Sequence, residues 1–180
     1  MILKKWAGTF CALSAILAVV SCATLSKEEC QTADWYQIGL IDGSKGREYH
    51  HIAKHNKACS EYGIRPDFDR YSQGRTEGLK HFCTREKGFK EGEKNGADGS
   101  VCPPESRNAF MEGYQVGIQV YTLKERISKI ESEMDKYRHQ RKETKDPEKL
   151  DLLNTLISKL ARERDEIEDM IADIRTRNGF

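Results

Sequence analysis

One spacing recurs in Tyr36-Gln-Ile-Gly39-Leu-Ile-Asp-Gly43, Tyr71-Ser-Gln-Gly74-Arg-Thr-Glu-Gly78, Phe89-Lys-Glu-Gly92-Glu-Lys-Asn-Gly96 and Phe110-Met-Glu-Gly113-Tyr-Gln-Val-Gly117. In each stretch an aromatic residue is followed by glycine three and seven positions later. These positions share one face of a helix, so a ring lies beside two places where another backbone can approach closely. A glycine in a helix interior costs about 1 kcal/mol relative to alanine. The repeat therefore predicts close helix contacts that offset this cost.

The glycine spacing has two other interpretations. Gly-x-x-x-Gly is a contact motif of membrane helices, but charged residues such as Asp42, Arg75 and Glu112 within the stretches argue against membrane insertion. The glycines could instead occupy turns of a loop-rich, disulfide-held fold, as Asn95-Gly96 suggests. Helix start signals favour helices: Asp34 and Asp67 are suited to N-caps, and Pro103-Pro104 opens the fourth stretch.

The segment after Tyr121 has a different pattern, with apolar residues in steps of three and four. This heptad spacing is typical of coiled coils. Asp146-Pro147-Glu148 interrupts the pattern with an N-cap, a proline at N1 and an acidic first turn. The two seams run through Leu123, Ile127, Ile130, Met134 and Tyr137, and through Leu150, Leu153, Ile157, Leu160, Arg164, Ile167, Ile171 and Ile174. We predict an antiparallel coiled-coil hairpin that docks a protein partner or self-associates.

The N-terminus has the order of a secretory signal. Lys4 and Lys5 precede an apolar run over residues 6–20 that is shorter than the roughly 20 residues a membrane span needs. The run ends in Val19-Val20-Ser21-Cys22, which resembles the lipobox of bacterial lipoproteins. That resemblance implies cleavage before Cys22 and acylation of Cys22, and Ala23 after it favours the outer membrane, lipid-anchored at its periplasmic face.

We therefore divide the chain into four parts and predict a mainly α fold. The parts are a lipoprotein signal peptide (1–21), a tether (22–33), a small glycine-packed, disulfide-stapled helical domain (34–121) and the coiled-coil hairpin (122–180). Removing the signal takes away two lysines and leaves 28 basic and 29 acidic residues. Such a balanced charge argues against nucleic acid as a partner.

Four cysteines remain besides Cys11 of the signal and the acylated Cys22, an even number that predicts two disulfides in an oxidising compartment. If residues 34–55 form mostly one helix, its ends lie about 30 Å apart, whereas bridged Cα atoms come within about 7 Å. Cys30 with Cys59 is then the least expected pair. We expect Cys30 to pair with Cys83 and Cys59 with Cys102.

The polar residues provide one metal-like cluster and no recognisable catalytic motif. His51, His55 and Cys59 are spaced by four on a predicted helix, which can present metal ligands on one face. Oxidation of Cys59 and the lack of a carboxylate to complete the set argue against it. We predict no catalytic, cofactor-binding or metal-ligating residues and no cofactor. The alternative is a periplasmic enzyme or metal-binding module that uses the His51/His55 or Asp42/Arg75 region, with Asp67 beside it.

Residues 28–121 resemble a family of small Gram-negative lipoproteins that is described as a domain of unknown function (YfiL-like). The resemblance is carried by the ordered set Cys30, Asp34-Trp35, Gly39, Asp42-Gly43, Gly46, His51, Cys59, Gly63, Pro66-Asp67, Tyr71, Gly74-Arg75, Gly78-Leu79, Cys83, Gly92, Gly96 and Cys102-Pro103. It implies an envelope lipoprotein without an assigned activity. Together with the hairpin, it leads us to expect a non-catalytic, membrane-anchored protein that acts through protein or cell-wall contacts.

Overall fold

The computed structural model describes residues 24–180, so the predicted signal peptide and Cys22 lie outside the described residues. The described chain is mainly helical, as predicted, and a short 3₁₀ turn at Tyr49–His51 precedes the third helix. The helices are α1 (Lys27–Gln31), α2 (Trp35–Ser44), α3 (Ile52–Ser60), α4 (Phe68–Phe82), α5 (Arg85–Gly92), α6 (Pro104–Glu143) and α7 (Pro147–Arg177).

Helices α2 and α4 form a parallel pair that packs backbone against backbone. A Cβ atom added at Gly39 would collide with the carbonyl of Tyr71, and one added at Gly43 would collide with the carbonyl of Arg75. Because both contacts advance in the same direction along the two helices, the pair is parallel. The α2 stretch begins at the predicted N-cap Asp34, whose carboxylate accepts from two amide groups of the first turn.

Helices α5 and α6 repeat this arrangement. The backbone at Gly88 meets the carbonyl of Phe110, and the backbone at Gly92 meets the carbonyl of Tyr114, again in parallel order. The predicted register of the third stretch is therefore wrong by one glycine. Gly96 lies beyond the end of α5, and Gly88, which has no aromatic residue three positions before it, takes the packing position.

Each parallel pair carries one disulfide ahead of its two helices. Cys30, before α2, is bonded to Cys59, which lies in the crossover that leads to α4. Cys83, before α5, is bonded to Cys102, which lies ahead of α6. The predicted pairing is thus wrong, because residues 34–55 do not form one helix.

The chain leaves α2 at Ser44 and turns at Gly46, whose φ of +68° is accessible to glycine with little strain. α3 then runs back alongside α1. The ends of the segment between Cys30 and Cys59 therefore meet, with a Cα–Cα distance of 5.5 Å. A contact between rings joins the two pairs, since Phe82 of α4 stacks on Phe110 of α6 with centroids 5.2 Å apart.

The predicted antiparallel hairpin is formed by the C-terminal part of α6 and by α7, which starts at the predicted N-cap Asp146. α6 runs without interruption through residues 121 and 122, so one helix of about 60 Å serves both the glycine-packed part and the hairpin. The seam between the two arms buries residues of both predicted heptad patterns. The buried members are Ile130, Met134, Leu153, Ile167 and Ile171.

The end of α7 is fastened to the glycine-packed part at the base of the hairpin. Phe180 stacks on Phe89 with centroids 4.0 Å apart, and the guanidinium of Arg85 lies 4.2 Å from the centroid of the Phe180 ring. Glu93 accepts from Arg175 and also from Lys124 at 3.1 Å. Within residues 24–180, none of the helices has the length and apolar character to cross a membrane.

Candidate functional site

A buried polar network lies between α2, α3 and α4. Its centre is Asp42, which directly precedes the packing residue Gly43 and is only 7% exposed. One carboxylate oxygen of Asp42, Oδ2, accepts a hydrogen bond from the hydroxyl of Tyr71 at 2.8 Å. The same oxygen lies 2.9 Å from Nε2 of His55. Tyr71 and His55 are themselves buried, so the network is shielded from water.

The network extends to the first residue that the structure describes. Nδ1 of His55 lies 2.9 Å from the hydroxyl oxygen of Thr24. With Nε2 protonated, His55 donates to Asp42 and accepts from Thr24. A single imidazole therefore connects α2 to the segment that follows the predicted acylation site, and Leu25 next to it packs against the core of the first helix pair.

His51 completes the cluster from the solvent side. It precedes α3, and its ring meets that of His55 edge-on with centroids 5.2 Å apart. One potential ligand atom from each of Asp42, His51 and His55 lies within 4.8 Å of the others. Cys59, the third residue of the predicted metal-like spacing, is consumed in its disulfide with Cys30. The carboxylate that the histidine spacing lacks is Asp42, which the alternative prediction names and which α2 supplies.

Burial and hydrogen bonding act in opposite directions on the pKa of Asp42 and in the same direction on the pKa of Tyr71. Burial raises the pKa of Asp42, but the hydrogen bonds from His55 and Tyr71 outweigh it and hold that pKa below its usual range. Burial and the neighbouring carboxylate raise the pKa of Tyr71. Burial also lowers the pKa of His51 more strongly than Asp42 raises it. Asp42 is therefore a carboxylate, Tyr71 a neutral donor and His51 a neutral imidazole at neutral pH.

Arg75 and Asp67, the other residues of the alternative site, do not join the network. Arg75 donates to the backbone carbonyl of Arg47 at 2.7 and 3.0 Å and lies over the ring of Tyr49. Asp67 is the N-cap of α4, where it accepts from the amide of Arg70. Both residues therefore have structural partners, and the concave arrangement of the alternative prediction does not form.

Sequence analysis did not predict the polar roles of Tyr71 and Thr24. The repeat predicts only a packing role for Tyr71, although the hydroxyl distinguishes it from Phe110 at the equivalent position of the second pair. Thr24 carries no motif. Its contact with His55 spans 31 residues and arises from the path of the chain through α1.

Residues 24–180 thus form two disulfide-clamped, glycine-packed helix pairs, of which the first holds the buried polar network, and a helical hairpin. Residues 34–119 match a family model described as protein of unknown function (DUF2799), which covers the two glycine-packed pairs and no more than the first part of α6. This match supports a domain of an unknown-function family over that segment. No curated protein and no solved structure matches the chain.

Proposed function

We propose that this protein is a lipid-anchored envelope lipoprotein that holds a rigid helical arm out to a protein or cell-wall partner. In this proposal Cys22 is acylated, the protein lies on the periplasmic face of the outer membrane, and it performs no catalysis. We also propose that its glycine-packed domain belongs with the YfiL-like small lipoproteins. The hairpin is the surface that meets the partner or a second copy of the chain.

The observation that carries this proposal is the continuity of α6 from the domain into the hairpin. A coiled coil on a flexible linker would sample many directions, whereas a helix shared with the domain cannot bend freely at residue 121. The stacking of Phe180 on Phe89 and the ion pairs of Glu93 fix the returning arm as well. The last 22 residues of α6 extend about 33 Å beyond Tyr121.

The N-terminal contacts support a short connection to the membrane. Thr24 is hydrogen-bonded to His55, and Ser26 and Glu29 form a reciprocal capping box at the start of α1. Only Ala23 separates Cys22 from these ordered residues. Two residues of chain span at most about 7 Å, so an acylated Cys22 would hold the domain against the lipid surface and restrict its orientation.

Intact-mass analysis of the mature protein tests the anchor. We expect cleavage before Cys22, a mass increment from two or three acyl chains, and recovery in the outer-membrane fraction. Stable anchoring needs two or more chains because one binds only marginally. Cys22→Ser should remain uncleaved and unacylated, whereas the matched control Cys11→Ser should match the wild type. A mature wild type that carries no lipid on Cys22 would refute the anchor.

A further inference from the structure

The polar network of the first helix pair has the composition and shape of a metal site. We propose that Asp42, His51 and His55 bind one divalent first-row transition metal ion, for which Zn²⁺ is the matching probe. Two imidazoles and a carboxylate are a donor set that Zn²⁺ takes in proteins. This proposal does not rest on acylation of Cys22 or on the arm.

The geometry brings the three side chains to a common point. Their potential ligand atoms lie within 4.8 Å of one another, whereas zinc bonds of about 2.0–2.2 Å set the donors of a tetrahedral site roughly 3.4 Å apart. Oδ2 of Asp42 and Nε2 of His55, now 2.9 Å apart, would separate slightly, and the longer distances would contract. A rotation of the His51 ring supplies this contraction, because His51 is half-buried and neither of its ring nitrogens has a hydrogen-bond partner among residues 24–180. His51 is the least buried of the three residues, so an ion would enter past its ring, and three protein ligands leave the fourth position of a tetrahedral site for a water molecule.

Two of the proposed ligands, His55 and Asp42, already have hydrogen-bond partners of the kind that support metal ligands. A metal-ligating histidine donates its second ring N–H to a neighbouring acceptor, and a ligating carboxylate is itself hydrogen-bonded. The hydroxyl of Thr24 lies 2.9 Å from Nδ1 of His55, and the hydroxyl of Tyr71 donates to Asp42 at 2.8 Å. Both outer partners come from segments outside the one that carries the two histidines.

Ion binding would change the tautomer of His55. In the structure, Nε2 of His55 faces Asp42 across a hydrogen bond. With an ion present, the Nε2 lone pair binds the metal and the ring proton moves to Nδ1, from which it is donated to the oxygen of Thr24. The hydroxyl of Thr24 rotates from donor to acceptor, so the moved ring proton keeps a hydrogen-bond partner.

The second helix pair shows that the fold does not require this network. Tyr71 and Phe110 each lie three residues before the first packing glycine of their helix, and both are fully buried. Asp42 and Glu91 each lie directly before a packing glycine. Unlike Asp42, Glu91 accepts its hydrogen bond from a backbone amide, that of Ala97 in the following loop. The same parallel packing is thus made with a phenylalanine in place of the tyrosine and without a buried histidine.

Burying the carboxylate of Asp42 with its donors His55 and Tyr71 costs desolvation free energy, which apolar side chains in the same positions would not cost. The second helix pair achieves the same packing with an apolar core, so packing alone does not explain the buried polar network of the first pair. Metal binding supplies one that uses each member of the network: three residues as ligands and the two hydroxyl groups as their supports.

The test uses the full-length protein purified in detergent with both disulfides intact, freed of metal with a chelator and titrated with Zn²⁺ by calorimetry and chelator competition. We expect one ion per chain. His51→Ala removes a half-buried ligand whose ring packs edge-on against His55 but makes no side-chain hydrogen bond within residues 24–180, so the variant should fold. It should bind at least 100-fold more weakly, since loss of an outer partner alone costs about 10–100-fold. His50→Ala is the matched control, because His50 is adjacent and exposed; it should bind like the wild type.

A second variant separates metal binding from folding. Tyr71→Phe copies the second helix pair, so it should fold while its Zn²⁺ affinity falls about 10–100-fold. Titration with Co²⁺ should give the visible absorption of a four-coordinate site in the wild type and lose it in His51→Ala. The proposal is overturned if the wild type binds no stoichiometric Zn²⁺, if His51→Ala binds as tightly as the wild type, or if His50→Ala weakens binding equally.

Discussion

Replacing Gly74 with alanine tests whether α2 and α4 touch through their backbones. The added Cβ would lie within 3.0 Å of three backbone atoms of Tyr36 and Leu40, none of which can rotate away as a side chain would. The two helices must therefore move apart. The Cys30–Cys59 disulfide ties the chain just before α2 to the crossover that leads to α4, which opposes the separation at that end.

The expected loss follows from two opposing effects. Overpacking costs about 1–3 kcal/mol in cores where side chains can move aside. We expect the upper value, about 3 kcal/mol, because the backbone atoms that meet the added Cβ cannot rotate away. Alanine returns about 1 kcal/mol of helix propensity. Gly74→Ala should thus lose about 2 kcal/mol, which lowers the melting temperature by about 4–8 °C in a domain of this size.

Thermal unfolding followed by circular dichroism, with the disulfides intact, measures this difference. The matched control is Gln73→Ala, one position earlier on the exposed face of α4, which should change the melting temperature little. If Gly74→Ala is as stable as the wild type or more stable, the two helices are not in backbone contact and the packing described here is wrong.

Three further predictions concern the base of the hairpin and the disulfides. Phe180→Ala removes a half-buried ring stacked on Phe89 and should cost about 2 kcal/mol and speed amide exchange in the last turns of α7; unchanged exchange would contradict the clamp. Burial raises the pKa of Glu93, but hydrogen bonds from Arg175 and Lys124 outweigh it and hold that pKa low. A carboxylate whose pKa is lower in the folded state stabilises the fold at pH values above its unfolded pKa, which is about 4.3 for Glu. The difference in unfolding free energy between wild type and Glu93→Gln should therefore be full at pH 7 and shrink as the pH falls below about 4.3. A difference independent of pH would refute this contribution. Peptide mapping without reduction should recover two linked pairs, and a Cys30–Cys83 peptide would contradict the fold; the expected pairs are Cys30–Cys59 and Cys83–Cys102.

Glycine spacing and helix signals predicted the elements that local sequence controls. Asp34, Asp67 and Asp146 cap helices as expected, because capping depends on a few neighbouring residues. The disulfide pairing failed because it depended on the length of one helix. That helix ends before Gly46, and a single glycine among polar residues does not reveal a reversal of the chain direction.

The polar network was only partly predictable for the same reason. The spacing of His51 and His55 is visible within one segment, but Asp42 reaches them from α2 and Tyr71 from α4. Such contacts are set by how parallel helices align across a crossover. The positions of the packing glycines determine that alignment. The residues that meet in the network share no regular spacing along the chain.

We propose that the domain is anchored to the membrane and presents the end of its helical arm to a partner. Photo-crosslinking in living cells from exposed Lys142 and Glu148, on either side of the hairpin turn, tests it most directly, with exposed Lys90 on the domain as the control position. We predict one discrete adduct from both tip positions, none from Lys90, and loss of the adduct in Cys22→Ser. No adduct from the tip, or the same adduct in Cys22→Ser, would contradict the account.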